Sequence, residues 1–392
     1  MRQEKAEPRK GICMKKKRMA NMELLRILAM IMVVMLHYLS KGGLLPNMTD
    51  SLDTNGYLAW ILETFSIVAV NVYMLISGFF LTESRFKSSR FVELICQILF
   101  YSLLIPVVLA AVGTISVKDF TVYKLLKYIF PVEMEHYWFA TAYVLLYLMS
   151  PIFKTAVHHM KQSQLKATIV LLLCILSLNK SILPVRLEMD KLGYDAIWFF
   201  CVFLCAAYLR LYGIPKLTDI RKGMIGYLVC CAGILGITLA IKVVYLKTGS
   251  LEDFLTATYH YNHILNLLAA ICIFVAFYHM RLPEGKIADF ICKIAQYTFG
   301  VYLFHEQEEL RYLWPTWFGA SAQGNPAVFV LRCMGSVLMM FIIGICIDMV
   351  RGAIFKGAGK LLCRGWVNRC LTQIDMAING DSRSEQVPAE RK

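Results

Sequence analysis

The chain has 392 residues, of which 58% are hydrophobic and only 17% are charged, and its formal net charge is +14. Soluble globular proteins are typically about 45–50% apolar and about 25% charged, so this composition excludes an ordinary soluble fold. Apolar runs of roughly 17–25 residues recur from end to end, which is the length that a helix needs to cross a bilayer. The sequence therefore predicts an all-α, polytopic bundle of membrane helices.

Ten spans are predicted in chain order, with both termini in the cytoplasm. They lie near residues 22–40, 57–81, 91–113, 136–153, 167–184, 194–212, 223–245, 261–279, 288–306 and 326–350. In this arrangement most of the 41 Lys and Arg residues fall in cytoplasmic segments, which is the bias that sets orientation in membrane proteins. The positive charge therefore indicates topology, and nucleic acid is not predicted as a partner.

The membrane domain is predicted at residues 21–350, between a basic cytoplasmic tail at 1–20 and a second cytoplasmic tail at 351–392. In the second tail, Lys and Arg are interleaved with the apolar residues Ile354, Phe355, Leu361, Leu362, Trp366, Val367 and Leu371. This pattern is typical of an amphipathic helix on the membrane surface. A plain extension of the last span is an equally good interpretation.

The first span is the most informative, because two ionisable side chains interrupt its apolar run. Arg26 lies near its cytoplasmic end and His37 near its external end, eleven residues apart. Eleven residues turn a helix to within about 20° of three full turns, so both side chains share one face, roughly 16 Å apart along the axis. Arg26 within the run, with no cleavage site after it, also argues against a cleaved signal peptide.

Each of these two residues alone has an ordinary explanation. Arg26 would extend to the lipid headgroups, and His37 would be a hydrated residue of the interface. Because Arg26 and His37 share one face of the helix, the pair favours a functional polar stripe along that face. An imidazole titrates near neutral pH and can act as a general base toward a hydroxyl, and a guanidinium suits phosphate groups. The pair therefore fits a long phosphorylated donor threaded into the bundle from the cytoplasm.

Other ionisable residues lie in or beside the apolar runs, where the bilayer disfavours them. Glu63 lies within the second span, and Arg90 precedes the third. Polar and aromatic residues are also predicted at the external ends of the first, fourth and ninth spans: His37, His136, Trp138, His305 and Glu306. The three histidines would either line the mouth of a cavity or be hydrated at the interface, and the sequence leaves both open.

With these residues in order over about 20–350, the chain resembles the acyltransferase-3 family of integral membrane O-acyltransferases, which modify bacterial surface polysaccharides. The Arg-x10-His of the family's first helix is matched by Arg26 and His37. Further motifs are matched by Ser77-Gly78-Phe79, Arg90, His136-Tyr137-Trp138-Phe139, Leu146-Tyr147-Leu148 with Pro151, and Gly300-Val301-Tyr302-Leu303-Phe304-His305. The order and spacing of these motifs are more specific than any one of them.

The resemblance implies transfer of an acyl group, most often acetyl, from cytosolic acetyl-CoA to a hydroxyl of a surface carbohydrate or its lipid-linked precursor. This would take place at the plasma membrane of a bacterium. His37 would be the catalytic residue, and Arg26 and Arg90 would hold the donor. Residues that would serve the acceptor side or the structure are Glu63, His136, Trp138, His305 and Glu306. The donor is a co-substrate, so no bound cofactor is expected, and the 13 cysteines have no metal-site spacing.

Other functions remain as alternatives at this point. A polytopic transporter or flippase for a polar or glycolipid substrate would also tolerate buried Arg, His and Glu. Transporters often contain inverted repeats with broken helices, and the sequence shows no such repeat. A purely structural membrane subunit would leave the order of the motifs unexplained. The sequence does not distinguish acetyl from succinyl, direct transfer from a covalent histidine intermediate, or a monomer from a homo-oligomer.

Overall fold

The computed structural model describes residues 18–47, 49–50, 52–186, 190–214, 216–362 and 366–380. Throughout these residues all regular structure is helical. The first eight helices are α1 (Ala20–Lys41), α2 (Thr54–Ser66), α3 (Ala69–Leu81), α4 (Ser88–Ala111), α5 (Val122–Ile129), α6 (Trp138–His159), α7 (Gln162–Leu173) and α8 (Asn179–Ile182). The others are α9 (Ala196–Tyr212), α10 (Ile220–Thr248), α11 (Ile264–Tyr278), α12 (Lys286–Ala295), α13 (Thr298–His305), α14 (Trp314–Trp317), α15 (Pro326–Leu362) and α16 (Trp366–Asn379).

Eight helical segments in the described part of the chain are long and apolar enough to cross a bilayer. They are Ala20–Lys41, Thr54–Leu81, Ser88–Ala111, Trp138–His159, Gln162–Ile182, Ile220–Thr248, Glu252–Tyr278 and Pro326–Gly357. Two predicted spans differ from this group. The sixth is α9, which at 17 residues is shorter than a typical span of about 20, and the ninth is divided by a turn into α12 and α13. The predicted polytopic bundle is confirmed, with eight full-length segments and two shorter ones.

Three helices begin directly after an aspartate that caps them. Asp53, Asp195 and Asp219 each accept a hydrogen bond from the backbone N–H three residues further on, at 2.7, 2.8 and 2.9 Å. These caps satisfy N–H groups that the first turn of a helix leaves free. α10 ends at Gly249, whose φ of 68° is a left-handed conformation that glycine adopts readily.

Two helical segments are interrupted, one between α2 and α3 and the other between α12 and α13. The helices that follow the two breaks, α3 and α13, contact each other. Near the break between α2 and α3, the hydroxyl of Tyr227 donates to the carbonyl of Phe65 at 2.6 Å. At the break before α13, the hydroxyl of Thr298 donates to the carbonyl of Ala295 at 2.9 Å. Carbonyl groups therefore keep partners where the helices are broken, as apolar surroundings require. The hydroxyls of Tyr73 and Thr298 lie 2.5 Å apart and join the two segments.

α13 is fixed against α15 by a close approach at Gly300. A Cβ atom here would overlap the carboxyl group of Asp348, so the approach requires glycine. Asp348 is fully buried and accepts hydrogen bonds from the hydroxyl of Tyr101 at 2.8 Å and from the guanidinium of Arg351 at 2.5 Å. These contacts hold in place the helix that ends with His305.

α1 lies at the centre of this arrangement, where its side chains face protein on several sides. The helices that contact it are α2, α3, α11, α12, α13 and α15. Its buried residues include Leu25, Ala29, Val34 and Leu39. Side chains on α1 therefore line the interior of the bundle.

The C-terminal tail is helical in the part that is described. α15 continues past the predicted end of the last span, and α16 follows it as a separate helix. α16 packs against the start of α4, where Asp375 accepts a hydrogen bond of 2.7 Å from the hydroxyl of Ser88. Val367 and Ile374 of this helix are exposed. Residues 1–17 and 381–392 of the two predicted tails lie outside the described residues.

Candidate active site

A small cavity lies beside His37, at one end of the polar face of α1. It has a volume of about 20 Å³, and we call it the inner cavity; its lining residues are Met30, Val33, His37, Val70, Tyr73, Trp138, Phe139, Tyr261 and Tyr302. Met30, Val33 and His37 follow Arg26 at helical spacing. The predicted stripe therefore continues from Arg26 to His37 as a row of cavity-lining side chains.

The Arg26 end of the stripe opens into a much larger space. One cavity of about 360 Å³ is lined by three arginines, and a neighbouring one of about 390 Å³ shares them. Together these form what we call the basic cavity, whose cationic residues are Arg18, Arg26, Arg85, Lys87, Arg90 and Arg210. Tyr73 and Phe139 line both the basic and the inner cavity. These two rings therefore mark the boundary between the two spaces.

Arg26 is oriented by an acidic neighbour on its own helix. Its Nη1 donates to Oε2 of Glu23 at 2.9 Å, and 22% of its side chain is exposed. Arg90 is exposed and lines the same cavity, and Nη1 of Arg18 donates to the carbonyl of Cys292 at 3.4 Å. The structure thus brings together both residues that were predicted to hold the donor. Arg26 lines this cavity together with Arg18 and Arg90.

His37 contacts two of the residues predicted at the external side. Its Nδ1 lies 2.8 Å from Nε2 of His305 and 3.3 Å from Oε2 of Glu306. Nδ1 of His305 lies 2.6 Å from the carbonyl oxygen of Val301. The carboxylate of Glu306 also meets the guanidinium of Arg311, at 3.4 Å. His37 is therefore the first member of a chain of buried polar contacts.

This chain extends to the acidic loop, a name that we give to residues 306–309. Lys127 of α5 pairs with Glu308 at 2.8 Å, and Lys124 pairs with Glu309 at 2.9 Å. Nδ1 of His136 lies 3.5 Å from the carboxylate of Glu308. α5 is therefore tied to the acidic loop by its lysines, while its apolar residues, among them Val122 and Ile129, are exposed.

Several buried polar atoms in this region lack a hydrogen-bond partner among the described residues. They are both ring nitrogens of His136, the hydroxyls of Tyr137 and Tyr302, Nε2 of Gln307 and Nε of Arg311. Buried polar atoms in folded proteins are normally hydrogen-bonded, and each exception needs an explanation. A polar ligand or ordered water is the chemistry that such atoms would accept.

Burial and ion pairing set the charges of the groups outside the spans. Burial lowers the pKa of His136 to about 4, against the opposing effect of the Glu308 carboxylate, so its ring is neutral at physiological pH. Although partial burial acts in the opposite direction, hydrogen bonds from Tyr128 and Lys124 hold the pKa of Glu309 below its usual range. This part of the site therefore combines the neutral imidazole of His136 with the ionised carboxylate of Glu309.

The predicted acceptor-side residues divide into three places. His136, His305 and Glu306 are buried in the polar region just described, so neither histidine lies on the exposed surface of the protein. Trp138 lines the inner cavity and stacks on Tyr261, with ring centroids 5.7 Å apart. Glu63 lies on neither cavity and is within electrostatic range of Tyr259. In the described part of the chain, no group of His, Cys, Asp or Glu could hold a metal ion.

Some residues of the site were not predicted from the sequence. Arg18 belongs to a basic run before the first span, and such runs are normally topological. Tyr73 lies in an apolar run with no signal to distinguish it from a packing residue. Tyr302 belongs to the family motif that ends at His305, and that motif is the signal that could have identified it. Arg311 lies in a loop, and its contact with Glu306 depends on the folded path of that loop.

The family comparison covers both cavities except Arg18. The acyltransferase-3 model, which is described as an acyltransferase domain, matches residues 19–345. The chain belongs to this family. It is a membrane acyltransferase, so the match supports the acyltransferase prediction over the transporter alternative. Neither a search of curated proteins nor a search of solved structures gives a match.

Proposed function

We propose that this member of the acyltransferase-3 family transfers an acetyl group from cytosolic acetyl-CoA to a hydroxyl of a surface carbohydrate or its lipid-linked precursor. The proposed location is the cytoplasmic membrane of a bacterium, with both termini inside. The observation that carries the proposal is the stripe on α1, which joins a cavity lined by arginines to a cavity lined by a histidine.

The basic cavity suits the phosphorylated end of the donor. Guanidinium groups bind phosphate and pyrophosphate through paired hydrogen bonds, and Arg18, Arg26 and Arg90 line one space. An acyl-CoA carries its phosphates at one end and its thioester at the end of a long flexible arm. With the phosphates near Arg26, the arm would pass Tyr73 and Phe139 and place the thioester beside His37.

The size and lining of the inner cavity favour a short, uncharged acyl group. A water molecule requires about 10–15 Å³ of cavity measured in this way, and the inner cavity has about 20 Å³. That space corresponds to one or two small groups, such as the methyl and the oxygen of an acetyl. Its lining contains no Lys or Arg, so the carboxylate of a succinyl group would have no ion-pair partner. These two properties favour acetyl over succinyl.

His37 is proposed as the general base of a direct transfer. Its ring takes the proton from the acceptor hydroxyl while the oxygen attacks the thioester carbonyl, so a C–O bond forms. The C–S bond then breaks, and the proton passes from His37 to the leaving thiolate, which gives the ester and free CoA. Glu306, whose carboxylate lies 3.3 Å from the ring, would stabilise the intervening imidazolium.

The acceptor would approach from the side of the acidic loop. Sugar rings offer hydroxyl groups to polar partners and C–H faces to aromatic rings. The phenol ring of Tyr302 and the indole ring of Trp138 both line the inner cavity. This combination supports a carbohydrate acceptor over a purely apolar one.

The test compares His37→Ala with the unchanged protein in membranes that contain the host's surface polymer and radiolabelled acetyl-CoA. Loss of a general base typically lowers a rate by roughly 10²–10⁴-fold, so we expect label in the polymer to fall by about that factor. His159→Ala is the matched control, because this histidine is exposed at the end of α6. Full transfer by His37→Ala at equal protein level would contradict the catalytic assignment.

A further inference from the structure

We infer that His305 is a positioning residue, which fixes the tautomer of His37 so that Nε2 is the nitrogen that accepts the proton of the acceptor. This inference rests on the proposed role of His37 as general base. The sequence assigns His305 only broadly, to the acceptor side or the structure, and the contacts of its two ring nitrogens indicate a specific task.

The first step concerns Nδ1 of His305. This nitrogen lies 2.6 Å from the carbonyl oxygen of Val301, one turn earlier on α13. A backbone carbonyl only accepts hydrogen bonds, so at this distance the proton is on Nδ1 of His305. A neutral imidazole has one donor nitrogen and one acceptor nitrogen. Nε2 of His305 is therefore an acceptor.

The second step transfers this constraint to His37. Nε2 of His305 lies 2.8 Å from Nδ1 of His37. Since the former accepts, the proton between them is on Nδ1 of His37. Nε2 of His37 then has a free lone pair, which is what a general base needs. A single backbone carbonyl on α13 thus sets the protonation of a ring on α1.

The orientation of the His305 ring is fixed by its surroundings. The residue is 0% exposed. The rings of Trp314 and Tyr302 meet it edge to face, with centroids 6.0 and 6.2 Å away and interplanar angles of 87° and 86°. Rotation of the His305 ring would break the bond to Val301 and press against both aromatic neighbours. The acceptor nitrogen is therefore presented to His37 in one orientation.

Glu306 is the competing candidate for the orienting group. Its Oε2 also approaches Nδ1 of His37, but at 3.3 Å, and it forms no hydrogen bond there. Its other oxygen faces Arg311. By distance and by pairing, His305 is the primary acceptor for His37, and Glu306 is placed to stabilise the cation after proton uptake.

Two variants of His305 separate positioning from bulk structure. In His305→Gln, the side-chain oxygen reaches the place of Nε2 and can accept from His37. In His305→Asn, the shorter amide can still donate to the Val301 carbonyl but cannot reach His37. We expect kcat with acetyl-CoA to stay within about 10-fold for the Gln variant. It should fall roughly 100-fold or more for the Asn variant, because a catalytic histidine in the wrong tautomer loses its base.

The KM for acetyl-CoA should change little in either variant, since the basic cavity is untouched. Equal kcat for the two variants would overturn the inference, and full activity of His305→Asn would assign the orienting role to Glu306 instead. If the unchanged protein does not transfer acetyl from acetyl-CoA, the proposed function is wrong. That outcome is distinct from a failure of the inference about His305, which requires an active unchanged protein.

A spectroscopic measurement tests the inference without any substitution at His305. Protein labelled with [15N]histidine in detergent gives different nitrogen shifts for the two neutral tautomers, and a His37→Ala spectrum identifies the His37 signals. We expect the Nδ1–H tautomer for His37 in the unchanged protein. An Nε2–H signal for His37 would overturn the inference, whatever the stability of the variants.

Discussion

At the Arg26 end of α1 the polar side chains are cations around an open space, whereas at the His37 end they are bases, acids and tyrosines packed against one another. Arg90 is exposed, and 22% of Arg26 is exposed. His305 and Glu306 are buried, and their partners are side chains of the same region. Both ends use ionisable residues, but at the first end the cations line an open cavity, whereas at the second the charged groups are buried beside one another.

This difference matches the two tasks in the proposed function, which are binding of a phosphorylated donor and transfer of a proton. A site that holds phosphates needs cations that a ligand can reach, and solvent exposure keeps the cost of their charge low. A site that moves a proton needs one ring held in a defined state, and buried contacts supply that definition. The comparison therefore predicts that changes at the first end alter binding, and that changes at the second alter turnover or stability.

The largest expected effect is on donor binding, in the double variant Arg26→Ala with Arg90→Ala. Hydrogen bonds to charged groups contribute about 1.5–3 kcal/mol each, so losing two should raise the KM for acetyl-CoA roughly 100-fold or more. Steady-state kinetics with acetyl-CoA and with acetyl-pantetheine, which lacks the phosphates, would measure it. The preference for acetyl-CoA over acetyl-pantetheine should shrink in this double variant. Arg281 is exposed and lines neither cavity, so the control variant Arg281→Ala should retain the full preference. An unchanged preference in the double variant would show that the basic cavity does not hold the phosphates.

The second prediction concerns stability in acid, through His136. Because burial lowers its folded pKa to about 4, the unfolded chain binds more protons between about pH 6.5 and pH 4. Stability is therefore lost as the pH falls through this window, by up to about 3 kcal/mol. The unfolding midpoint of the detergent-solubilised protein should fall less from pH 7 to pH 4.5 in His136→Gln than in the unchanged protein.

His159→Gln is the matched control for this pH experiment, since that histidine is exposed. It should show the same pH dependence as the unchanged protein. If His136→Gln does so too, the ring of His136 is not buried in its neutral form, and the contrast between the two ends is weaker than described.

The smallest expected effect lies in the inner cavity, in Val33→Ala. Val33 lines the inner cavity, so removing two methyl groups should admit a longer acyl group. One methylene in an apolar pocket changes selectivity by about 10-fold or more, so kcat/KM for propionyl-CoA relative to acetyl-CoA should rise by roughly 10-fold. Val34→Ala is the control, since its side chain is fully buried but lines neither cavity. An equal change in both variants would mean that the inner cavity does not select the acyl group.

The sequence predicts the features that depend on local periodicity. Apolar runs give the helices, and the spacing of Arg26 and His37 places them on one side of α1 because both lie in the same regular helix. The interruption between α2 and α3 is not predicted, since no glycine or proline marks it. A partner on α10, Tyr227, bonds a carbonyl near the break, and that partner is 162 residues away in sequence.

The contacts of the site follow the same division. His37 and His305 are 268 residues apart, and their 2.8 Å contact depends on how α13 is fixed against α15. The motifs indicate that both histidines matter, but neither motif gives their pairing. The neutral state of His136 depends on its burial in the folded chain, which composition cannot supply. Local pattern predicts which residues are candidates, and tertiary packing decides how they act together.

The small volume of the inner cavity has a consequence for the electrical insulation of a membrane. A membrane that holds a voltage cannot tolerate a continuous column of water through its proteins, because protons and ions would flow along it. Beyond Tyr73 and Phe139 the space contracts to about 20 Å³ with a mainly apolar lining, and apolar constrictions of this kind exclude conducting water. The inner cavity therefore offers no room for a continuous column of water between the basic cavity and the side of His37.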